Sequence, residues 1–154
     1  GSNPGFHLAI AGKGQLSGWL EDRHANSSAK ENISVMGLVT DAEKRWMYEN
    51  SACVVIPSRF EGLPTVLLEA MHAGTPVVMA DVNGLGGLVQ ECGCGLSVPC
   101  EDPDSLAQAM SRVMEAGADQ ASAWGDSGMS ASRDYQWDRV TDRVLDVYRR
   151  VLGE

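Results

Sequence analysis

The sequence predicts an α/β fold built on a doubly wound parallel sheet, and three observations carry that prediction. Short, nearly continuous apolar runs recur along the chain, as expected of strands covered on both faces. Helix-periodic stretches follow them, bounded by glycine, proline or capping residues, which is the alternation of a βα repeat. Finally, 154 residues with 44% hydrophobic and 21% charged content suffice for one buried core and are too apolar for disorder.

The elements follow in order. Residues 6–11 (FHLAIA) form a strand that ends at Gly12-Lys13-Gly14, and a polar helix runs from Gln15 to about Ala29. Residues 33–37 (ISVMG) make a second strand. Thr40 and Glu43 then have the spacing of a capping box opening a helix through Trp46, Met47 and Tyr48. Residues 53–56 (CVVI) are the third strand, stopped by Pro57. Pro64 stands where the first turn of a helix tolerates proline, and Val66, Leu67, Ala70 and Met71 give that helix an apolar stripe ending at Ala73.

Residues 77–80 (VVMA) are the fourth strand, followed by a helical or irregular segment over 84–91 and a short strand over 96–98. Asp102-Pro103 caps a helix reaching about Glu115. Residues 116–134, rich in Ala, Ser, Gly and Asp, read as one helix or two with a break near Gly125 to Gly128. Over 137–152, Trp137, Val140, Thr141, Val144, Leu145, Tyr148, Val151 and Leu152 follow the i, i+3, i+4, i+7 rule, which predicts a packed terminal helix. The arrangement is Rossmann-like, and sites in such sheets lie beyond the carboxyl ends of the strands.

Charge narrows the partners. With 12 Lys and Arg against 21 Asp and Glu, the net charge is −9, and no basic stripe exists to displace counterions from a nucleic acid. The same balance disfavours a membrane surface, and no apolar run approaches the roughly 20 residues of a membrane span. Gly1-Ser2 reads as a cloning remnant ahead of a domain over residues 3–154. Cys92, Cys94 and Cys100 cluster in a Gly-rich stretch, but C-x-C spacing without a nearby His does not suit four-coordinate zinc. Free thiols, with Cys53, in a reducing cytoplasm are expected, with no metal and no cofactor. His7, His24 and His72 receive no catalytic role, and the four tryptophans, dispersed along the chain, are expected in core packing.

Chemistry concentrates in residues 57–78, PSRFEGLPTVLLEAMHAGTPVV, which read as the end of a strand, a loop, a helix, a turn and a strand. Glu61 lies in the loop before the helix. Glu69 lies about one turn in, on the face of Thr65, so both carboxylates are expected at the mouth of the sheet. Gly62 between them lets a ligand approach the backbone, and the N–H groups at the helix start between Leu63 and Val66, on either side of Pro64, favour an anion. Carboxylates that accept from hydroxyls, beside amides that donate to phosphate oxygens, suit a sugar and a ribose joined by a diphosphate. Taken alone, the two glutamates read equally as helix-dipole partners worth about 0.3–1 kcal/mol each; the surrounding pattern decides otherwise.

Glu61 and Glu69 form the E-x7-E pattern within P-S-x-x-E-G-x-x-x-x-x-x-E-A-x-x-x-G-x-P-V-V. In this the chain resembles the C-terminal, donor-binding half of family 4 retaining glycosyltransferases of GT-B fold. The likeness extends over residues 6–152, through Gly12-x-Gly14, Gly37 and the closing helix after Gln136-Trp137. It implies a nucleotide-diphosphate-sugar donor, with Glu61 meeting the donor sugar in a catalytic role, Glu69 meeting the ribose hydroxyls, and the amides of Gly62, Leu63 and Thr65, spaced by Pro64, holding sugar or distal phosphate. It also implies that the chain lacks the first strand of the donor half, with the Arg and Lys that neutralise the diphosphate, and an N-terminal acceptor-binding domain that would supply any membrane association. Lys13 and Arg59 are the cations near predicted loop ends, neither at the family's positions. The alternatives are a nucleotide-sugar epimerase of the same fold and a non-catalytic ligand-binding domain.

Overall fold

The computed structural model describes residues 5–153, so the expected cloning remnant at Gly1-Ser2 lies outside the described residues. The chain divides into two compact units, one through Lys44 and one from Arg45 onward.

In the first unit, β1 (Leu8–Ala11) and β2 (Ile33–Gly37) pair in parallel, with Leu8 opposite Ile33 and a register shift between Ile10 and Ala11. Between them, α1 (Ser17–Ala25) is shorter than the sequence suggests, and a 3₁₀ turn at Lys30–Asn32 delivers the chain to β2. His24 explains this handover. Its ring N–H reaches the carbonyls of Lys30 (3.2 Å) and Ile33 (3.0 Å), which can only accept, so the histidine ties the end of α1 to the start of β2. His7 pairs with the Ser34 hydroxyl across the two strands at 2.8 Å. No described residue of this unit is buried.

α2 (Asp41–Asn50) crosses the division and opens with the predicted capping box. The Thr40 N–H donates to the Glu43 carboxylate (2.7 Å) and the Glu43 N–H to the Thr40 hydroxyl (3.2 Å), bonds that hold the Glu43 carboxyl below its usual range.

The second unit carries a three-stranded parallel sheet in the order β3 (Val54–Ile56), β4 (Val77–Asp81), β5 (Gly95–Pro99). The central strand shows why its sequence is apolar throughout. Val77 and Met79 pack with Leu67, Ala70 and Met71 of α3 (Thr65–Ala73) and Val89 of α4 (Leu85–Glu91). Val78 packs the other way, with Ala109 and Val113 of α5 (Pro103–Glu115). All three strand residues are fully buried, each such side chain stabilising by about 1.5–3 kcal/mol relative to exposure. Asp102 caps α5 as expected, accepting from the Ser105 N–H at 2.9 Å.

Two expectations are corrected. The break near Gly125 to Gly128 does not occur: α6 (Gly117–Ser132) is continuous. Those glycines serve close packing instead, since a Cβ on Gly125 would stand 2.3 Å from the Gly74 carbonyl oxygen and one on Gly128 would stand 3.2 Å from Cys94 Cβ. The terminal helix α7 (Trp137–Leu152) forms where predicted but is not packed, because it buries none of its residues. The tryptophans follow suit. Trp124 packs against the second core cluster, whereas Trp19, Trp46 and Trp137 are exposed on helices without buried residues, Trp19 under the Arg23 guanidinium at 5.5 Å. Among the described residues no helix is long and apolar enough to cross a membrane.

Candidate functional site

The carboxyl ends of β3, β4 and β5 each lead into a loop, and hydrogen bonds tie these loops together. The loop after β3 carries Ser58 and Glu61, and the Ser58 hydroxyl donates to the Glu61 carboxylate at 2.6 Å. The loop after β4 carries Asn83 in the left-handed region (φ 55), from which its amide donates to the Glu61 carbonyl at 2.9 Å. The loop after β5 adds Cys100, whose thiol lies 3.9 Å from the Ser58 carbonyl, and Glu101, 3.6 Å from Arg59. Both partners of that ion pair are mostly exposed, so it contributes at most about 1 kcal/mol. Its acidic partner also draws Arg59 toward the loop after β5.

α3 begins at Thr65, and its position follows from Pro64, buried at the N-cap. Proline there has no side-chain acceptor to satisfy the first N–H groups. The Leu67 N–H turns back to the Pro64 carbonyl at 3.1 Å, and Thr65 and Val66 are exposed. Gly62 and Leu63 are exposed as well, and a Cβ added to Gly62 would meet nothing within 4 Å, so the approach to this backbone is open. The helix ends at Gly74 in left-handed conformation (φ 73), its stripe of Leu67, Ala70 and Met71 fully buried.

Glu69 therefore sits one turn into a helix fixed by the core. Its carboxylate accepts from the Tyr48 hydroxyl at 2.7 Å. Burial, reinforced by the Glu69 hydrogen bond and charge, pushes the Tyr48 phenol above the ordinary tyrosine range. The structure thus places Glu61, Gly62, Leu63, Pro64, Thr65 and Glu69 on one loop-and-helix segment, but it holds the two carboxylates by different means. The Gly-rich run from Asn83 to Gly87 after the fourth strand reads in the sequence equally as a tight loop or as an approach to the donor, and here its Asn83 side chain supports the Glu61 loop. Ser58 and Tyr48 were missed as supporting residues, and nothing local marks Tyr48.

His72 is exposed on α3. The four cysteines are free, and burial pushes the Cys94 thiol up to about 11. Lys13 lies in the first unit, beside Gly12, Ser17 and Gly37 on a hollow of about 260 Å³. A second hollow of about 450 Å³ in that unit is lined by Ile10, Leu20 and His24. Neither is lined by a residue of the 57–69 segment.

Known proteins share this fold. Residues 2–129 match the family model described as glycosyl transferases group 1. An uncharacterized glycosyltransferase of Methanocaldococcus jannaschii is 31% identical over 142 residues, which span 92% of this chain and 36% of that protein. A D-inositol 3-phosphate glycosyltransferase of Mycolicibacterium paratuberculosis is 33% identical over 156 residues, 98% of this chain and 35% of that protein. The chain thus spans about a third of the length of these relatives. The pneumococcal O-GlcNAc transferase, solved with UDP and GlcNAc, shares the fold at a TM-score of 0.74 and 17% identity, over 96% of this chain and 30% of that one. A family model matching most of the sequence, and a parallel sheet whose strand β3 leads into the loop and helix that bear its two glutamates, lead to one conclusion: the chain belongs to the group 1 glycosyl transferases, with the fold of a GT-B half-domain.

Proposed function

We propose that this chain is the donor-binding part of a retaining glycosyltransferase that takes its sugar from a nucleotide-diphosphate-sugar. The observation that carries the reading is the exposed start of α3, open at Gly62 and uncapped at Pro64, flanked by two anchored carboxylates. In this reading Glu61 holds the donor sugar, the amides from Gly62 to Thr65 hold the diphosphate, and Glu69 holds the ribose hydroxyls. The bond from the anomeric carbon to the diphosphate breaks, and one to an acceptor hydroxyl forms with the same configuration. Donated hydrogen bonds at the helix start stabilise the charge that develops on the departing diphosphate.

In this reading an N-terminal domain outside residues 1–154 holds the acceptor and supplies any membrane association, and the cations for the diphosphate belong to the first strand and helix of the donor half. A cytoplasmic setting accords with four free thiols. The test is product analysis with the full-length protein and nucleotide-diphosphate-sugar donors. Transfer with retained anomeric configuration is expected, and residues 1–154 alone should give no turnover. Inverted configuration in the product, or robust transfer by the isolated chain, overturns the respective part of this assignment.

A further inference from the structure

Tyr48 is held at two points. Its backbone carbonyl accepts from the Thr75 hydroxyl at 2.6 Å, and its phenol donates to Glu69 at 2.7 Å. Thr75 is only 4% exposed and directly follows the left-handed cap at Gly74, so the anchor belongs to the same buried turn that ends α3. Tyr48 also packs against the core cluster containing Leu67 and Met71. The result is a closed circuit from α2 through the Glu69 carboxylate, along α3 and back through Thr75.

A phenol has one proton to give, and giving it to one carboxylate oxygen favours one orientation of that carboxylate. Of the about four acceptor positions a carboxylate offers, the phenol takes one. Resting on the ribose role given to Glu69 above, we propose that Tyr48 is a positioning residue that orients the Glu69 carboxylate and thereby sets the preference of this site for nucleotides with both ribose hydroxyls intact. A polar site with an oriented acceptor discriminates strongly against an analogue that lacks the matching hydroxyl, whereas a less restrained acceptor adapts to it. The raised ionisation of the phenol keeps it a donor through neutral and mildly alkaline solution.

The experiment is calorimetry on the full-length protein with UDP, GDP and ADP and their 2′,3′-dideoxy counterparts. For the best-bound base, the parent should prefer the ribonucleotide by about tenfold or more. Tyr48→Phe should erase most of that ratio by weakening the ribonucleotide while leaving the dideoxy form unchanged. Thr75→Val should lower the ratio in the same direction, and Thr75→Ser, which keeps the hydroxyl, should restore it. These two variants carry the test if Tyr48→Phe does not fold. A parental ratio in Tyr48→Phe, or equal weakening of both nucleotides, overturns the proposal. If Glu69→Ala leaves the parental ratio intact, the ribose role of Glu69 fails first and the proposal with it.

Discussion

Glu61 and Glu69 stand eight positions apart in sequence, yet their surroundings have little in common. Glu61 rides on a loop, its carboxylate bonded to Ser58 three residues away and its backbone held by Asn83 from the next loop. Glu69 rides on a helix whose inner face is fully buried, and its described partner is Tyr48, 21 residues back on another helix. A carboxylate on such a helix is oriented before any ligand arrives. One on a loop takes its orientation from neighbours that a ligand can rearrange, which suits contact with the group that moves during transfer.

The largest effect expected from this contrast is on stability. Leu67→Ala should cost about 2–5 kcal/mol in chemical unfolding, because it opens a cavity beneath the helix that carries Glu69. The half-exposed Leu63, beside Glu61, should tolerate alanine within about 0.5 kcal/mol. Next, under the roles proposed above, comes Glu61→Ala in the full-length protein, expected to lower kcat about 100-fold through lost donor positioning while leaving free nucleoside diphosphate affinity nearly unchanged. Glu69→Ala should do the reverse, weakening nucleoside diphosphate binding by about 1.5–3 kcal/mol in calorimetry. Equal weakening by both alanine variants would erase the distinction between loop and helix.

A smaller effect concerns alkaline pH. The phenol of Tyr48 ionises less readily in the folded chain than in the unfolded one, so the stability this contributes is complete below the ordinary tyrosine pKa of about 10. It should be lost as pH rises above that value. Unfolding curves for the parent and Tyr48→Phe should therefore converge with increasing pH, and a constant gap would exclude the linkage.

These contrasts also show where sequence reasoning reaches. The strand, loop, helix and strand around Glu61 and Glu69 were legible because one uninterrupted segment contains their signals: an apolar run, Pro57, Gly62, Pro64 and the stripe from Val66 to Met71. Tyr48 was not, since its bond to Glu69 depends on how two helices lie against one core. Gly125 misled for a related reason. Glycine lowers helix propensity, but here it lets the helix backbone come against the Gly74 carbonyl, a contact no local pattern announces. The periodicity of α7 identified its apolar face correctly, yet α5 and α7 are both amphipathic and only α5 buries residues. Periodicity tells which face is apolar; it says nothing of what that face meets.

For α7 this has a consequence in time. Trp137 is 83% exposed and Val151 79%, and no residue of the helix is buried, so little apolar burial ties its opening to that of the core. Sixteen residues lie close to the length at which a lone helix is marginal in water. In hydrogen–deuterium exchange of residues 1–154, amides of α7 should therefore exchange through local fraying, long before those of β4, which await global unfolding. Protection of α7 equal to that of β4 would show that the two open as one unit.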